Sequence, residues 1–256
     1  DLSGDISFLN PIAEKMTGWP LVEALGRPLA ETFKIMDATT RITTPNPMAQ
    51  AAQEDRSGVL PVNCILVSRD GHEVFIEDSV APIHDRGGLV DGSVLVFRDV
   101  TLARVLSARV THLAEHDTLT GLPNRLLLSD RLDQAIAMAQ RNSEILAVLF
   151  MDLDGFKHIN DSLGHSTGDK LLQSVAKQLQ RCVRAPDTVS RQGGDEFLVL
   201  LQDIEHAEDA AIAANRILKS LVETHSIDGH ELHITASIGV SIYPDDGIDS
   251  ETLIKN

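Results

Sequence analysis

Residues 188–201 have the sequence TVSRQGGDEFLVLL, and this stretch decides the fold of the second half of the chain. Apolar and polar residues alternate over 189–192 and residues 197–201 are almost wholly apolar, which predicts two strands joined by a hairpin turn. The turn, Gly193-Gly194-Asp195-Glu196, has two glycines that permit positive φ values and leave no Cβ to hold a ligand away from the backbone. Its two adjacent acids repel each other unless a cation or hydrogen-bond donors lie nearby. The turn is therefore either a functional site or a solvated hairpin turn, and these residues alone favour neither.

Three segments of the second half carry a family resemblance. Residues 191–197, RQGGDEF, resemble the signature of GGDEF-domain diguanylate cyclases, which condense two GTP molecules into cyclic di-GMP. Residues 116–125, HDTLTGLPNR, resemble the opening of that domain, and residues 233–242, HITASIGVSI, resemble one of its later strands. The resemblance implies a GGDEF domain over 116–256 with a central mixed sheet flanked by helices, as in nucleotide cyclases. It also implies that the family's C-terminal helix is missing, so the domain is expected to be truncated and its activity is in doubt.

Composition and charge limit the classes of function. The chain has 256 residues, 43% hydrophobic and 23% charged, as expected for one large or two ordinary globular domains. A formal net charge of −16 argues against DNA or RNA as a partner, because phosphate backbones require a basic face. A nucleoside triphosphate still binds such a protein where metal ions and helix N-termini reverse the local field, so dependence on Mg²⁺ or Mn²⁺ is expected.

The sequence contains no signal peptide and no apolar run near the roughly 20 residues that span a bilayer, which predicts a cytoplasmic protein. The chain does not begin with Met, so it is expected to be a fragment, and a membrane anchor outside it stays open. Cys64 and Cys182 lie far apart and outside any CxxC motif, which favours buried thiols over a disulfide or a zinc site.

Residues 1–100 predict a small α+β domain, an antiparallel sheet with helices on one face. The expected elements are strands at 5–9, 62–67, 73–82 and 93–100 and helical pieces at 11–17 and 47–55.

This first segment resembles a PAS sensor domain. The likeness rests on residues 6–18, on Arg69-Asp70-Gly71 in a central hairpin, and on residues 96–101, VFRDVT, at the exit. The first PAS strand is expected to be clipped. No PAS cofactor is predicted, because Cys64 lies in a strand rather than in a flavin-binding motif and the histidines lie near turns. An apolar ligand pocket and a purely dimerising role both stay open.

Residues 101–115 predict a helical linker. Apolar residues recur at spacings of three and four, which gives one narrow stripe. The stripe fits either a two-helix seam in a homodimer or a single helix packed on its own domain. The residues of the stripe are Leu102, Val105, Leu106, Val110 and Leu113.

Acidic residues at the end of a predicted buried strand, 145–150, suggest a metal site. The strand leads into Met151-Asp152-Leu153-Asp154-Gly155. Asp154-Gly155 is predicted to be a turn, which leaves Asp152 as the better ligand. Mg²⁺ takes one or two carboxylates together with phosphate oxygens and water. The resemblance assigns metal binding to Asp152 and to the main-chain carbonyl of Leu153, and catalysis with metal binding to Asp195 and Glu196.

The segment after this strand offers candidates for binding GTP. A carboxylate and an amide can recognise the N1–H and N2–H₂ donors of guanine, and the resemblance gives that role to Asn160 and Asp169, with His165 close by. Asp169 is expected in the first turn of the following helix, where an Asp complements the helix dipole without any ligand. Lys157 is a candidate phosphate contact, and the triphosphate is expected over Gly193 and Gly194.

Residues 184–187, Arg-Ala-Pro-Asp, match the RxxD inhibitory site of many cyclases, where the product binds. Arg can bind a guanine edge or a phosphate through paired hydrogen bonds. The placement of this motif just before the hairpin predicts product feedback through Arg184 and Asp187.

Two functions follow for the whole chain. The first is a PAS-regulated, Mg²⁺-dependent diguanylate cyclase that acts as a homodimer, with GTP as substrate and cyclic di-GMP as product. The second is a module that binds GTP or cyclic di-GMP and controls an EAL-type phosphodiesterase domain beyond Asn256. The intact acids Asp152, Asp195 and Glu196 favour the enzyme.

Overall fold

The structure is a computed structural model that describes residues 1–44, 48, 55–59 and 63–256. The chain divides into two compact units, Asp1–Ala108 and Arg109–Asn256. Within the described part, none of the helices has the length and apolar character needed to cross a membrane.

The first unit contains a four-stranded antiparallel sheet in the order β1-β2-β3-β4. Its hydrophobic core lies between this sheet and short N-terminal helices, and includes Phe33, Leu66 and Ile76. The first helix begins after the Asn10 cap and ends at Gly18 in the left-handed region, as turn chemistry predicts. The elements are α1 (Pro11–Thr17), α2 (Leu21–Ala24), α3 (Leu29–Thr32), β1 (Lys34–Asp37), β2 (Cys64–Val67), β3 (Glu73–His84) and β4 (Val90–Asp99).

One element predicted for this unit is not formed, and two others lie wholly or partly outside the described residues. The strand expected at 5–9 is wrong: Ile6 bonds through its main chain to Arg27 and Gly26, and only an isolated bridge between Asp5 and Pro28 forms. The segment pairs with a loop rather than with a strand, so no ladder propagates. The helical piece expected at 47–55 and the start of the strand expected at 62–67 lie almost wholly outside the described residues. The remaining predicted strands and the helix at 11–17 are confirmed.

The linker segment forms one helix, α4 (Thr101–Glu115), and none of its residues is buried. The five apolar side chains of the predicted stripe are all exposed by more than half: Leu102, Val105, Leu106, Val110 and Leu113. The alternative in which the helix packs on its own domain receives no support from these exposures.

The second unit is built on a four-stranded sheet in the order β10-β5-β7-β6. A separate two-stranded hairpin, β8-β9, was not predicted. The elements are α5 (Arg125–Asn142), β5 (Ile145–Asp154), α6 (Phe156–Leu163), α7 (His165–Arg181), β6 (Thr188–Gly193), β7 (Glu196–Ile204), α8 (Ala207–Leu221), β8 (His225–Ile227), β9 (His230–Leu232), β10 (Thr235–Tyr243) and α9 (Ser250–Lys255).

The α+β class is confirmed, but the mixed sheet expected for the second unit is corrected. Every neighbouring pair of strands in its four-stranded sheet is antiparallel. The two helices after β5 carry the chain past the position beside it, so that β6 pairs only with β7, its hairpin partner. The hairpin inserts β7 between β5 and β6, and no two parallel strands become neighbours.

Strand β5 is buried on both faces, as its continuous apolar run predicts. Its odd-numbered residues, such as Leu149 and Met151, pack in the larger core with α7 and α8. Its even-numbered residues, such as Leu146 and Val148, pack with α5 and α9. Because side chains alternate along a strand, Asp152 lies on this second face, at the exposed end of β5.

Candidate functional site

The predicted hairpin is present, with β6 and β7 joined by a turn at Gly194 and Asp195. Gly193 pairs with Glu196 across the hairpin, and Gly193 and Gly194 have φ values of 138° and 54°. A Cβ atom added to either glycine would meet no atom of the other described residues within 4 Å. The glycines are therefore required by the backbone conformation, and the space above the turn is open to a ligand.

The acids on β5 and β7 lie side by side. Asp152 is the cross-strand partner of Glu196, and paired residues on neighbouring strands point to the same face of a sheet. Partial burial raises the pKa of Asp152, and the negative charges of Asp195 and Asp154 raise it further. The end of β5 and the turn of the hairpin thus form one negatively charged surface, which attracts a cation.

Asp154 is differently placed. It is the last residue of β5 rather than part of a turn, and the turn begins at Gly155, which has a φ of 72°. The Asp154 carboxylate accepts hydrogen bonds from Thr235 Oγ1 at 2.7 Å and from Ser237 Oγ at 2.9 Å, both on β10. These bonds favour Asp152 over Asp154 as a metal ligand, because both carboxylate oxygens of Asp154 already accept a hydrogen bond.

The residues present fit a divalent metal that arrives with a nucleotide. In the described part of the chain, no group of three or more His, Cys, Asp or Glu side chains could hold a metal ion unaided. Mg²⁺, however, needs only one or two carboxylates when phosphate oxygens and water complete its shell. Asp152 meets that requirement. The nearby charges of Asp195 and Asp154, which raise its pKa, also favour a bound cation. Leu153 has its side chain in the core, so only its main-chain carbonyl is available.

The predicted guanine ligands lie on consecutive helices. Asn160 is on α6 and Asp169 on α7, and the two helices are separated by Gly164. The Oδ1 atom of Asn160 is buried and finds no hydrogen-bond donor among the described residues. A buried amide oxygen without a partner is costly, and such an atom calls for an explanation.

The position of Asp169 differs from the prediction. Helix α7 begins at His165, so Asp169 lies in its second turn rather than its first, and the first turn contains no acidic residue. The interaction of a carboxylate with a helix dipole falls off within the first turn. The helix dipole therefore does not explain an acid at position 169. The side chains of Asp169, His165 and Lys157 are exposed.

An ion pair that the sequence did not reveal anchors the glycine turn. Arg191 Nη1 donates to both carboxylate oxygens of Asp117, at 2.9 and 3.0 Å, while Nε and Nη2 donate to the carbonyl of Gly194 at 3.1 and 2.7 Å. The main-chain N–H of Arg191 also donates to the carbonyl of Pro123. Asp117 lies in the motif at 116–125 and Arg191 in the motif at 191–197. Nothing else in the sequence indicates that the two residues pair.

Two parts of the chain match known family models. Residues 114–256 match the family model described as diguanylate cyclase, GGDEF domain, and residues 1–100 match the model of the PAS fold. This chain belongs to the GGDEF diguanylate cyclase family. It carries a PAS domain ahead of the GGDEF domain.

Individual relatives agree with this assignment. The chain is 49% identical over 156 residues to the bifunctional diguanylate cyclase/cyclic di-GMP phosphodiesterase MucR of Pseudomonas aeruginosa, which covers 61% of the chain and 22% of MucR. It is 35% identical over 246 residues to the probable diguanylate cyclase DgcE of Escherichia coli, which covers 96% of the chain and 22% of DgcE. The chain therefore spans about a fifth of the length of these relatives.

A solved structure resembles the GGDEF domain closely. The crystal structure of a sensory box/GGDEF family protein from Caulobacter crescentus superposes with a TM-score of 0.53 at 45% sequence identity. The match covers 55% of this chain and 91% of that one.

The RxxD residues of the GGDEF domain take part in bonds within the domain. Arg184 Nη2 donates to the main-chain carbonyls of Gln202 and Asp203 near the end of β7. The side chain of Asp187 is only 3% exposed, and it accepts from the main-chain N–H groups of Gln202 and Arg184. The motif therefore ties the start of β6 to the far end of β7, opposite the glycine turn.

Proposed function

We propose that this chain is the PAS and cyclase portion of a larger signalling protein, and that it condenses two GTP molecules into cyclic di-GMP. One observation carries the proposal: Asp152, near the end of β5, is the cross-strand partner of Glu196, the first residue of β7 after the open glycine turn. The raised pKa of Asp152 supports it, because an acid held among other acids favours a cation as its partner.

The proposed roles divide the site into three parts. Asn160 and Asp169 bind guanine, with His165 beside them; Asn160 and Asp169 lie on consecutive helices, and the side chains of Asp169 and His165 are exposed. The triphosphate lies over Gly193 and Gly194, with Lys157 as a phosphate contact. Asp152, Asp195, Glu196 and the Leu153 carbonyl would hold Mg²⁺ or Mn²⁺, and the ion would supply positive charge to stabilise the phosphorus and the leaving group.

The reaction is two reciprocal transfers. The 3′-hydroxyl oxygen of one GTP forms a bond to the α-phosphorus of the other, and the bond from that phosphorus to the β-phosphate oxygen breaks, releasing pyrophosphate. Asp195 accepts the hydroxyl proton, with Glu196 supporting or sharing this role. The second transfer closes the ring, so that two GTP give one cyclic di-GMP and two pyrophosphates.

The reaction requires two GTP-loaded subunits facing each other. The exposed stripe of α4 supports a homodimer formed through this helix, because five apolar side chains on one helix face favour a partner. The PAS domain is proposed to regulate the cyclase, and product is proposed to bind at Arg184 and Asp187.

Turnover of GTP tests the proposal. The chain is incubated with α-labelled GTP and Mg²⁺ or Mn²⁺, and products are separated by chromatography. Wild type is expected to form cyclic di-GMP and pyrophosphate, and Asp195→Ala is expected to lower the rate by at least about 100-fold. Equal product from both proteins contradicts the assignment of Asp195. GTP binding without any product favours instead a regulatory module controlling an attached phosphodiesterase, an activity that MucR's name includes.

A further inference from the structure

Gly168 lies on α7 against the side chain of Asn160, where there is no room for a Cβ atom. It is buried, and it is the fourth residue of the helix that begins at His165. A Cβ atom built on Gly168 would lie 1.9 Å from Asn160 Oδ1, 2.9 Å from Asn160 Cγ and 3.2 Å from Phe156 Cζ. The first two distances are impossible for a real carbon atom. The Asn160 amide therefore occupies the volume that any side chain at position 168 would fill.

Neither the backbone of Gly168 nor the helix explains this glycine. Its φ does not fall in the left-handed region, unlike that of Gly164 at the start of the same helix. Glycine inside a helix is less favourable than alanine, because it loses more conformational freedom on folding. Glycine is suited to this position because it has no Cβ, which leaves room for Oδ1 of Asn160.

The contact also accounts for the orientation of the amide. Oδ1 of Asn160 is buried without a conventional donor among the described residues. Oδ1 lies 1.9 Å from the position where Gly168 carries a hydrogen in place of a Cβ, which fits a Cα–H···O contact of the weak but recurrent kind. With Oδ1 held against Gly168, the amide is fixed against the residue that precedes Asp169.

We infer that Gly168 is a positioning residue for nucleotide binding, and that it acts through Asn160. Its missing Cβ lets Oδ1 of Asn160 lie against the helix, which leaves the Nδ2 group of the amide to contact the base of GTP beside Asp169. This inference rests on the proposed guanine site, and it adds a residue that makes no contact with the nucleotide itself.

The predicted effect of Gly168→Ala is selective. The atom closest to the new methyl group is the end of a flexible side chain, so Asn160 can rotate away while the helices stay in place. The fold then gains a better helix former and loses an oriented amide. GTP affinity is expected to fall about tenfold, the value of one lost hydrogen bond. Affinity for magnesium tripolyphosphate, which has no base, is expected to be unchanged.

A double-mutant cycle on the whole chain tests the inference. Calorimetric titration with GTP and with magnesium tripolyphosphate is carried out on wild type, Gly168→Ala, Asn160→Ala and the double variant. If Gly168 acts only through Asn160, the double variant binds GTP no more weakly than Asn160→Ala alone. Gly58→Ala is the matched control, because a Cβ at Gly58 meets no described atom within 4 Å and its φ is ordinary.

Several outcomes overturn the inference. They are unchanged GTP affinity in Gly168→Ala, equal losses for GTP and tripolyphosphate, and losses that add in the double variant. A lowered melting temperature of Gly168→Ala also counts against it, since the effect would then be structural. The readout is binding, so wild type that binds GTP without turnover refutes the cyclase proposal and leaves this inference standing. Wild type that binds GTP no better than tripolyphosphate overturns the inference.

Discussion

Arg191 and Asp117 form an ion pair that joins the glycine turn to the segment following the linker helix. The two residues are 74 positions apart, and their side chains are only 9% and 20% exposed. The same guanidinium binds the carbonyl of Gly194, so Asp117 and the turn share one arginine. Because Asp117 lies just after the end of α4 at Glu115, a displacement of that segment would reach the glycine turn through the Arg191 side chain.

Replacing Arg191 by Ala is expected to destabilise the second unit strongly. The change leaves the Asp117 carboxylate and the Gly194 carbonyl without their donor in a largely buried setting. Breaking such a pair costs about 3–5 kcal/mol of unfolding free energy. The chain has one Trp, Trp19 in the first unit, and one Tyr, Tyr243 in the second, so fluorescence during urea unfolding can follow each unit separately.

A matched control lies in the same unit. Lys170 binds Asp228 at 2.6 Å, but both side chains are nearly half exposed. Lys170→Ala should cost less than about 1 kcal/mol, because exposed ion pairs contribute little. A loss in Arg191→Ala as small as in Lys170→Ala would show that the buried pair does not hold the turn.

Acid should remove the contribution of Asp117. Burial alone would raise the pKa of Asp117, but hydrogen bonds from Thr120 and Arg191 outweigh burial and the pKa lies below its ordinary value. A carboxyl with a depressed pKa stabilises the fold fully above its unfolded pKa of about 3.9, and this stabilisation is lost as the pH falls through the folded pKa. The unfolding free energy of wild type should therefore exceed that of Asp117→Asn at pH 7, and the gap should narrow below about pH 4. A gap that is constant down to pH 3 would contradict this account.

Local sequence patterns predicted most elements of the fold. The hairpin at 188–201, the buried strand at β5 and the helix α1 follow from periodicity, turn residues and caps within a short window. The strand expected at 5–9 failed because its pairing partner is a loop, which no local pattern describes. The mixed sheet failed for a related reason: strand order depends on where a crossover lands, not on the residues of any one strand.

The site was predictable to a different depth. The register that pairs Asp152 with Glu196 depends on long-range pairing, and the sequence could only place both acids near strand ends. The Asp117–Arg191 pair and the contact between Gly168 and Asn160 join residues from separate segments. Both contacts depend on distances of a few tenths of an ångström, and no spacing rule encodes them.

Removing the charge of Asp152 should stabilise the protein while abolishing catalysis. The pKa of Asp152 is raised, so its ionised form disfavours the folded state, and stability is lost as the pH rises through that pKa. Asp152→Asn should raise the melting temperature at pH 7 by up to a few °C without metal. It should also eliminate the further stabilisation that Mn²⁺ and GTP give to wild type.

The comparison with Asp154 makes this prediction specific. Asp154 accepts bonds from Thr235 and Ser237, so Asp154→Asn should lower the melting temperature, opposite to Asp152→Asn. Thermal unfolding of both variants, with and without Mn²⁺ and GTP, provides the measurement. A fall in the melting temperature of Asp152→Asn without metal would refute the argument from repulsion.

The exposed stripe of α4 should control assembly. Leu106→Asp places a charge in the apolar stripe and is expected to weaken a homodimer at least tenfold, measured by sedimentation velocity. Ser107→Asp adds the same charge off the stripe and should leave assembly unchanged. If both variants sediment like wild type, α4 is not the dimer contact.

Product feedback should separate the two RxxD residues. Arg184 is 55% exposed, so its guanidinium can exchange the carbonyls of Gln202 and Asp203 for a ligand, whereas Asp187 is 3% exposed and fixed by main-chain N–H groups. Arg184→Ala should therefore abolish inhibition by added cyclic di-GMP at a stability cost below about 1 kcal/mol. Asp187→Ala should cost more, about 1–3 kcal/mol, because it leaves buried N–H groups unpaired. Initial rates with added product and urea unfolding measure the two effects, and Arg181→Ala, an exposed arginine at the end of α7, is the control. Inhibition that persists in Arg184→Ala would mean that the motif only ties β6 to β7.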